Sequence, residues 1–478
     1  MAEHIVTESK GYIAPARDAL AAYNPNSSSY PGGDDSCAIG KVSDGRLFSF
    51  TPARWMADEI VDSRVVIILG GKNQRKTTLA MHIAAAMASG RSSDGSPMRI
   101  YADEIRKKGK GAEYDPLAEF FDSKPVRLTD KLNPFDEAFN FTFSQHETTA
   151  LDLVKSGKNG VEATTREEYH LRVALYIMFK TYGHIRGIET LAKILETLSD
   201  DDIDMYQRET LDAAIRRLAD EKTEEEAEEA RFQIDQLLAR SKPANSPKPL
   251  GVEVESSESR TTASQGAQEL SEIITRILFG DFDERFGGMK SFASMMKQRA
   301  VIFDMSGMND RTMAFIQAFL WRLKLEAHRK DDQGFIFQLQ IHDENYRLWN
   351  DPTFAREMSD YLKQIRSYET TLVMISHRMR DYYSVGSPGS TERQRATNMF
   401  GDVPIWFIGK LPMRDARDVV EYHGWDESWI DAISSLSKGV FVAKIGTWPP
   451  FTVDTNALTT EQILEISYSN MANDALLA

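Results

Sequence analysis

The chain has 478 residues, of which 41% are hydrophobic, 27% charged and 10% aromatic. That composition excludes disordered, collagen-like and disulfide-framework proteins, and at roughly 100 to 200 residues per domain the length allows two to four domains. The 57 basic and 72 acidic residues leave a net charge of -15, which excludes a surface coated in basic groups for nucleic acid but not a local basic channel. Cys37 alone cannot close an internal disulfide and fits a reducing compartment. The opening MAEHIVTESKGYIAPARD lacks an apolar signal core, and runs such as VVIIL at 65–69 fall far short of the roughly 20 residues a membrane helix needs. A cytoplasmic location is expected.

Residues 1–45, with NPNSSSYPGGDDS, show no sustained period and read as an irregular N-terminal arm. RVVIIL at 64–69 is a β-branched run followed at once by glycines, and TTLAMHIAAAMASG then reads as a helix closed by Gly90. MRIYAD at 98–103 and PVRLT at 125–129 continue a strand–helix alternation, so 46–146 is expected to form the first part of an α/β domain with a mostly parallel sheet. Residues 147–240 are almost free of glycine and proline and carry helical periodicity, as in EEYHLRVALYIMFKTYG, predicting a helical insertion. Its TEEEAEEA run reads as a solvated helix face, with an acidic docking surface as the alternative. The polar, Pro- and Ser-rich stretch 241–266 reads as a flexible loop or linker. In 267–478 the strand pattern returns at RAVIFDM (299–305), FIFQLQIHDE (335–344), TTLVMIS (370–376), VPIWFIG (403–409) and GVFVAKI (439–445), closing with a TEQILEI helix.

LGGKNQRKTTL follows a strand and opens a helix, the context in which backbone N–H groups cradle phosphates, a lysine neutralises them and a hydroxyl meets Mg2+. Counting back from Lys76, Gly70 takes the first glycine of G-x-x-x-x-G-K-[ST] and Thr77 the hydroxyl, whereas Arg75 replaces the second glycine. An ordinary Gly-rich turn is the bland alternative. The nucleotide contacts are expected from Gly70, Gly71, Asn73, Gln74, Arg75, Lys76, Thr77 and Thr78. An arginine at position 75 either strains the loop, which is the reading preferred and is expected to weaken nucleotide binding, or swings outward so that its guanidinium adds a second charge beside Lys76 for the phosphates.

FIFQLQIHDE ends an apolar run in two carboxylates. Asp343 is expected to hold Mg2+ with Thr77, and Glu344 to polarise the attacking water; a strand-end helix cap is the plainer reading of the pair. Asp304, at the end of RAVIFD, competes for the metal role but lacks a neighbouring carboxylate. Ser376 and His377 end the TTLVMIS strand where a polar group can sense the γ-phosphate. Arg366, just before that strand, is a candidate arginine finger in cis or from a neighbouring subunit, or else a surface residue.

In order, IGKVSDGRLFSFTPARW, the P-loop, KGKGAEYDPLAEFF, PVRLTDKLNPFD, VIFDMSGM, IHDENYRLW and LVMISHRMRD resemble the FtsK/HerA superfamily of P-loop motors. They are most similar to the TraC-like ATPases of conjugative type IV secretion in their actinobacterial form, over about residues 39–465. The resemblance implies a RecA-like P-loop NTPase fold with a helical insertion, ATP and Mg2+ as cofactors, and a homo-hexamer. It also implies that Glu113, Tyr114, Asn133 and Pro134 match the family's KGEY-like and NP-D segments, where Asn-Pro is otherwise ordinary turn chemistry. His377 stands where these motors often carry a glutamine sensor, and Arg366 matches the arginine before that strand. The large N-terminal domain of full-length secretion ATPases is not expected, and with it docking to the secretion channel is put in question.

The expected function is ATP hydrolysis coupled to translocation of DNA or protein in a conjugation or type IV secretion-like apparatus. Channel or coupling proteins at the inner face of the membrane are the implied partners. A DNA translocase or packaging motor of a phage or mobile element is one alternative. A nucleotide-binding scaffold that does not turn over, suggested by Arg75, is the other.

Overall fold

A computed structural model describes residues 37–88, 98–104, 113–127, 133–158, 161–220, 263–277, 296, 298–305, 308, 310–329, 337–365, 370–463 and 465, apart from a few positions inside these spans. Two compact units emerge, one of Met1–Asp130 with Phe292–Ala478 and one of Lys131–Ser291. The first opens with β1 (Ala38–Val42), β2 (Leu47–Ser49), α1 (Pro52–Ala57), β3 (Val65–Leu69), α2 (Lys76–Met87), β4 (Arg99–Glu104), α3 (Asp115–Phe120) and β5 (Val126–Arg127). β1 lies inside the stretch expected to be an irregular arm. It pairs antiparallel with a strand near the far end of the chain, and a Cβ at its Gly40 would stand 2.6 Å from the Asp454 carbonyl oxygen.

The second unit holds α4 (Phe143–Gly157), α5 (Thr165–Tyr182), α6 (Ile188–Thr197), α7 (Asp200–Asp220) and α8 (Ala263–Arg276). It is wider than the expected 147–240, because residues from 131 and the α8 helix belong to it. α5 begins on a capping box, in which the Thr164 side chain accepts from the Glu167 N–H and Glu167 answers the Thr164 N–H, and it ends on Gly183 at φ 76. α8 packs on α6, with Ser271 Oγ donating to the Ala192 carbonyl at 2.9 Å. The TEEEAEEA run, Gly90 and most of 241–266 lie outside the described residues.

The first unit resumes with β6 (Ala300–Asp304), α9 (Asp310–Arg329), β7 (Gln338–His342), α10 (Pro352–Gln364), β8 (Thr370–Ser376), α11 (Arg380–Tyr383), α12 (Thr391–Asn398), β9 (Ile405–Ile408), α13 (Met413–His423), α14 (Ser428–Ser435), β10 (Val440–Ile445) and β11 (Phe451–Asp454). All strands join one 11-stranded sheet in the order β2-β1-β11-β10-β9-β3-β8-β7-β4-β6-β5. From β9 to β5 every pairing is parallel, and from β9 to β2 every pairing is antiparallel. β3, at the centre, is covered on both faces, which is why VVIIL reads as an unbroken apolar run with all five residues at 0% exposure. α2 is alanine-rich and almost wholly buried, since small side chains let it lie close to neighbouring elements.

Candidate functional site

β3 delivers the chain to Gly70 at the carboxyl ends of the parallel strands, the end at which open α/β sheets bind ligands. The Gly71 N–H donates to the Lys410 carbonyl at 2.9 Å and the Gly409 N–H to the Leu69 carbonyl at 2.7 Å, tying the start of the loop to the end of β9. A Cβ on Gly71 would lie 3.2 Å from that Lys410 oxygen, so the close approach favours glycine. Asn73 (φ 63) and Arg75 (φ 62) are both left-handed, a region asparagine tolerates and arginine does not favour. Of the two expectations for Arg75, the strained backbone is seen. Its backbone sits in the strained region, and its exposed guanidinium turns away to donate to Asn456 Oδ1, in the turn after β11.

Lys76 opens α2 and is buried. Its ammonium donates to the carbonyls of Gly70 (2.9 Å) and Gly71 (3.1 Å) and lies 3.2 Å from His377 Nδ1. His377 Nε2 in turn faces Glu344 Oε1 at 3.4 Å, so the ring stands between the lysine and the carboxylate. Thr77 Oγ1 donates to Asp343 Oδ2 at 3.3 Å. The helix and the acidic strand end thus meet at one hydroxyl and one carboxylate.

The chain turns sharply after β7. Glu344 adopts φ 49 and its N–H donates to Asp343 Oδ1 at 2.9 Å. Burial, and next the Glu344 charge, push the Asp343 carboxyl up to about 6, against the opposing pull of Lys76 and the Glu344 N–H. Two carboxylates crowded beside a hydroxyl form an oxygen donor set suited to a hard divalent cation, which would relieve their repulsion. A cleft of about 340 Å³ opens beside Gly71 and Lys72, walled by His377, Arg378, Leu411, Pro412 and Asp415.

Lys76, Thr77, Asp343, Glu344 and His377 come together, then, with Gly70 and Gly71 forming the loop backbone. Ser376 does not join them: its hydroxyl pairs with the Tyr382 hydroxyl at 2.6 Å in the interior. Arg366 lies outside the described residues. Asp304 ends β6, separated from the Asp343 strand by β4. The Glu113 N–H donates to Glu104 Oε1 at the end of β4, and Tyr114 beside it is fully buried. Burial, and then the Asp343 and Glu113 charges, push the Tyr114 phenol up. Asn133 Oδ1 accepts the Phe135 N–H at 3.0 Å, a local turn bond, and it belongs to the helical unit. Asn456, 381 residues from Arg75, is the site neighbour that no local pattern could reveal.

A mostly parallel sheet, a loop from its central strand into a helix that begins on Lys76-Thr77, and a carboxylate pair two strands away define a RecA-like P-loop fold. The same fold occurs in VirB4 of Thermoanaerobacter pseudethanolicus, at TM-score 0.58 and 14% identity over 87% of this chain and 95% of that one. A form of the bacterial conjugative coupling protein TrwB in complex with sulphate aligns at TM-score 0.48 and 11% identity over 83% of this chain and 86% of that one. TrwB with the non-hydrolysable ATP analogue ADPNP aligns at TM-score 0.47 and 12% identity over 84% and 87%. At the level of fold, the likeness to VirB4 agrees with the expected RecA-like P-loop architecture. No protein-family model and no curated protein matches the chain.

Proposed function

We propose that this chain is a Mg2+-dependent P-loop ATPase that drives macromolecule movement in a conjugation or type IV secretion-like apparatus. The observation that carries the reading is the convergence of the P-loop helix and the acidic strand end, with Thr77 Oγ1 3.3 Å from Asp343 Oδ2 and His377 between Lys76 and Glu344. The likeness in fold to VirB4 supports the choice of apparatus. Phosphoryl transfer asks little covalent chemistry of the protein, so positioning and charge neutralisation supply the rate.

In this reading Gly70, Gly71, Asn73, Gln74 and Thr78 surround the phosphates, and Lys76 leaves its loop carbonyls to neutralise them. Thr77 and Asp343 would hold Mg2+, which when bound would offset the negative charge of the phosphates. Glu344 orients the attacking water, and His377, in contact with both Lys76 and Glu344, senses the γ-phosphate. Asp304 is left without a metal role because β4 separates its strand from the Asp343 strand. Assembly is a ring of like subunits, a hexamer, with Arg366 reaching the neighbouring site. The chain carries no described helix long and apolar enough to cross a membrane, which is consistent with an ATPase working at the cytoplasmic face.

The test is phosphate release from ATP with Mg2+, measured with and without DNA. Turnover stimulated by DNA supports a DNA motor, and turnover indifferent to DNA favours protein transport. Nucleotide binding without phosphate release would replace the motor by a non-hydrolysing scaffold.

A further inference from the structure

The strand that ends in the acidic pair is pinned from its opposite face by a buried charged cluster. β4 and β7 pair in parallel with Asp103 directly opposite His342. Asp103 and His342 project to the same face, and Lys324 of α9 completes the group, with Nζ 2.9 Å from Asp103 Oδ1 and 3.1 Å from Oδ2. His342 Nδ1 is in direct contact with Asp103 Oδ2, and all three side chains are about 1% exposed. Burial alone would raise the Asp103 carboxyl, yet Lys324 and His342 beside it hold it down at about 2. The aromatic rings of Trp321 and Tyr361 close over this face, with Trp321 centred 5.1 Å from His342.

A buried ion pair is weak evidence for stability, because desolvation offsets most of its attraction and an apolar trio of the same volume would hold two strands as well. What the Asp103–Lys324 ion pair with His342 beside it adds is direction. It fixes the rotamer of His342 and the register of β4 against β7 at the last rung of β7. Side chains alternate across a sheet, so the next residue, Asp343, points to the opposite face, where it meets Thr77. One residue further on, Glu344 sits in a left-handed turn that needs a firm origin. β4 also holds the other side of the site at this level, since Glu104, the neighbour of Asp103, accepts the Glu113 N–H.

We infer that Asp103, Lys324 and His342 are positioning residues that set the depth and aim of the Asp343–Glu344 pair from behind the sheet. This rests on the ATPase reading above. Because removing one partner alone leaves a buried charge uncompensated, the test replaces the pair together, as Asp103→Asn/Lys324→Met. His342→Gln, which leaves the ion pair whole, is a parallel single variant.

The folded state is followed by thermal melting, nucleotide affinity with a fluorescent ATP analogue, and turnover across a Mg2+ titration. Expected in both variants is nucleotide affinity within about threefold of wild type, with turnover lowered and half-maximal Mg2+ raised by about 10- to 100-fold, as for residues that orient metal ligands from outside. A merely structural cluster would move the melting temperature and leave turnover and Mg2+ requirement at wild-type values in the folded variants, and that result overturns the inference. If the double variant does not fold, His342→Gln decides by the same readouts. Failure of the ATPase reading looks different, since wild type itself would then release no phosphate.

Discussion

Arg75 separates two costs that a P-loop normally avoids by using glycine. Its φ of 62 places a non-glycine residue in the left-handed region, at a cost of about 1–2 kcal/mol. Its side chain recovers part of this by donating to Asn456, whose own amide nitrogen donates to the Lys438 carbonyl and to Asp454 Oδ1, both at 2.9 Å. An exposed bond of this kind contributes about 0.5–1.5 kcal/mol. Arg75→Ala keeps the strain and loses the bond. Arg75→Gly loses both, but also gains about 0.5–1 kcal/mol of unfolded-chain freedom. The glycine variant is therefore expected to be more stable than the alanine variant by about 0.5–1 kcal/mol, a urea midpoint shift of about 0.2–0.3 M at a slope near 3 kcal/mol/M.

Binding should behave differently. If Arg75 keeps the left-handed conformation with and without nucleotide, its cost is common to free and bound protein and cancels from the dissociation constant. A fluorescent ATP analogue should bind Arg75→Gly within about threefold of wild type, because the guanidinium points to Asn456 and not into the loop. Tighter binding by more than tenfold would show that the strain is incurred on binding. Binding weaker by as much would show that the guanidinium leaves Asn456 for the phosphates. Equal stability of the glycine and alanine variants would refute the strain itself.

Lys76→Ala and Glu344→Gln should each lower ATP turnover at least about a hundredfold, but only Lys76→Ala should lose nucleotide; normal turnover in Glu344→Gln would move water activation elsewhere. Asp304→Asn, on a strand separated from the acidic pair by β4, should keep turnover within about threefold, and a larger loss would return Asp304 to the metal site. If Arg366 acts across subunits, specific activity should fall on dilution together with the particle mass from light scattering, whereas activity that stays flat through dissociation removes the trans role. In the helical unit, burial lowers His146 to about 4, below its unfolded value of 6.5, so the unfolded state takes the proton first. Stability should therefore fall as pH drops from 6.5 towards 4, by up to about 1.4 kcal/mol per unit, and His146→Phe should flatten that slope in urea melts at pH 7 and pH 5. An unchanged slope would place the titration on His170, which burial also lowers.

What the sequence disclosed follows the range of the signals. The P-loop was legible because VVIIL, the glycines and Lys76-Thr77 are contiguous, and Asp343-Glu344 because an apolar run leads straight into two carboxylates. β1 was hidden because it follows directly on NPNSSSYPGGDDS within a stretch of no sustained period, and its Gly40 is there for the close approach of Asp454, more than 400 residues on. The helical unit outgrew its expected limits because α8 returns to it at the end of the polar stretch; the apolar spacing of Ala267, Leu270 and Ile274 marks a helix but not the unit it joins.

The polar row of β7 was hidden in a different way. Gln338, Gln340 and His342 alternate with Leu339 and Ile341, the pattern of a strand with one face in water, yet all three polar residues are about 1% exposed. Gln340 Nε2 donates to the Tyr361 hydroxyl at 3.1 Å, and Gln338 Nε2 reaches the Lys324 carbonyl at 3.4 Å. Period-two polarity reports which side chains share a face, and it cannot report whether that face meets water or a helix that brings its own polar partners. Here α9 and α10 bring Lys324 and Tyr361 to the two glutamines, and β4 brings Asp103 to His342. The strand that presents the acidic pair to the P-loop is thus built from two unlike faces, Leu339 and Ile341 on one and a buried polar row on the other. A point change on the polar face can reach Asp343 without touching the nucleotide side of the sheet.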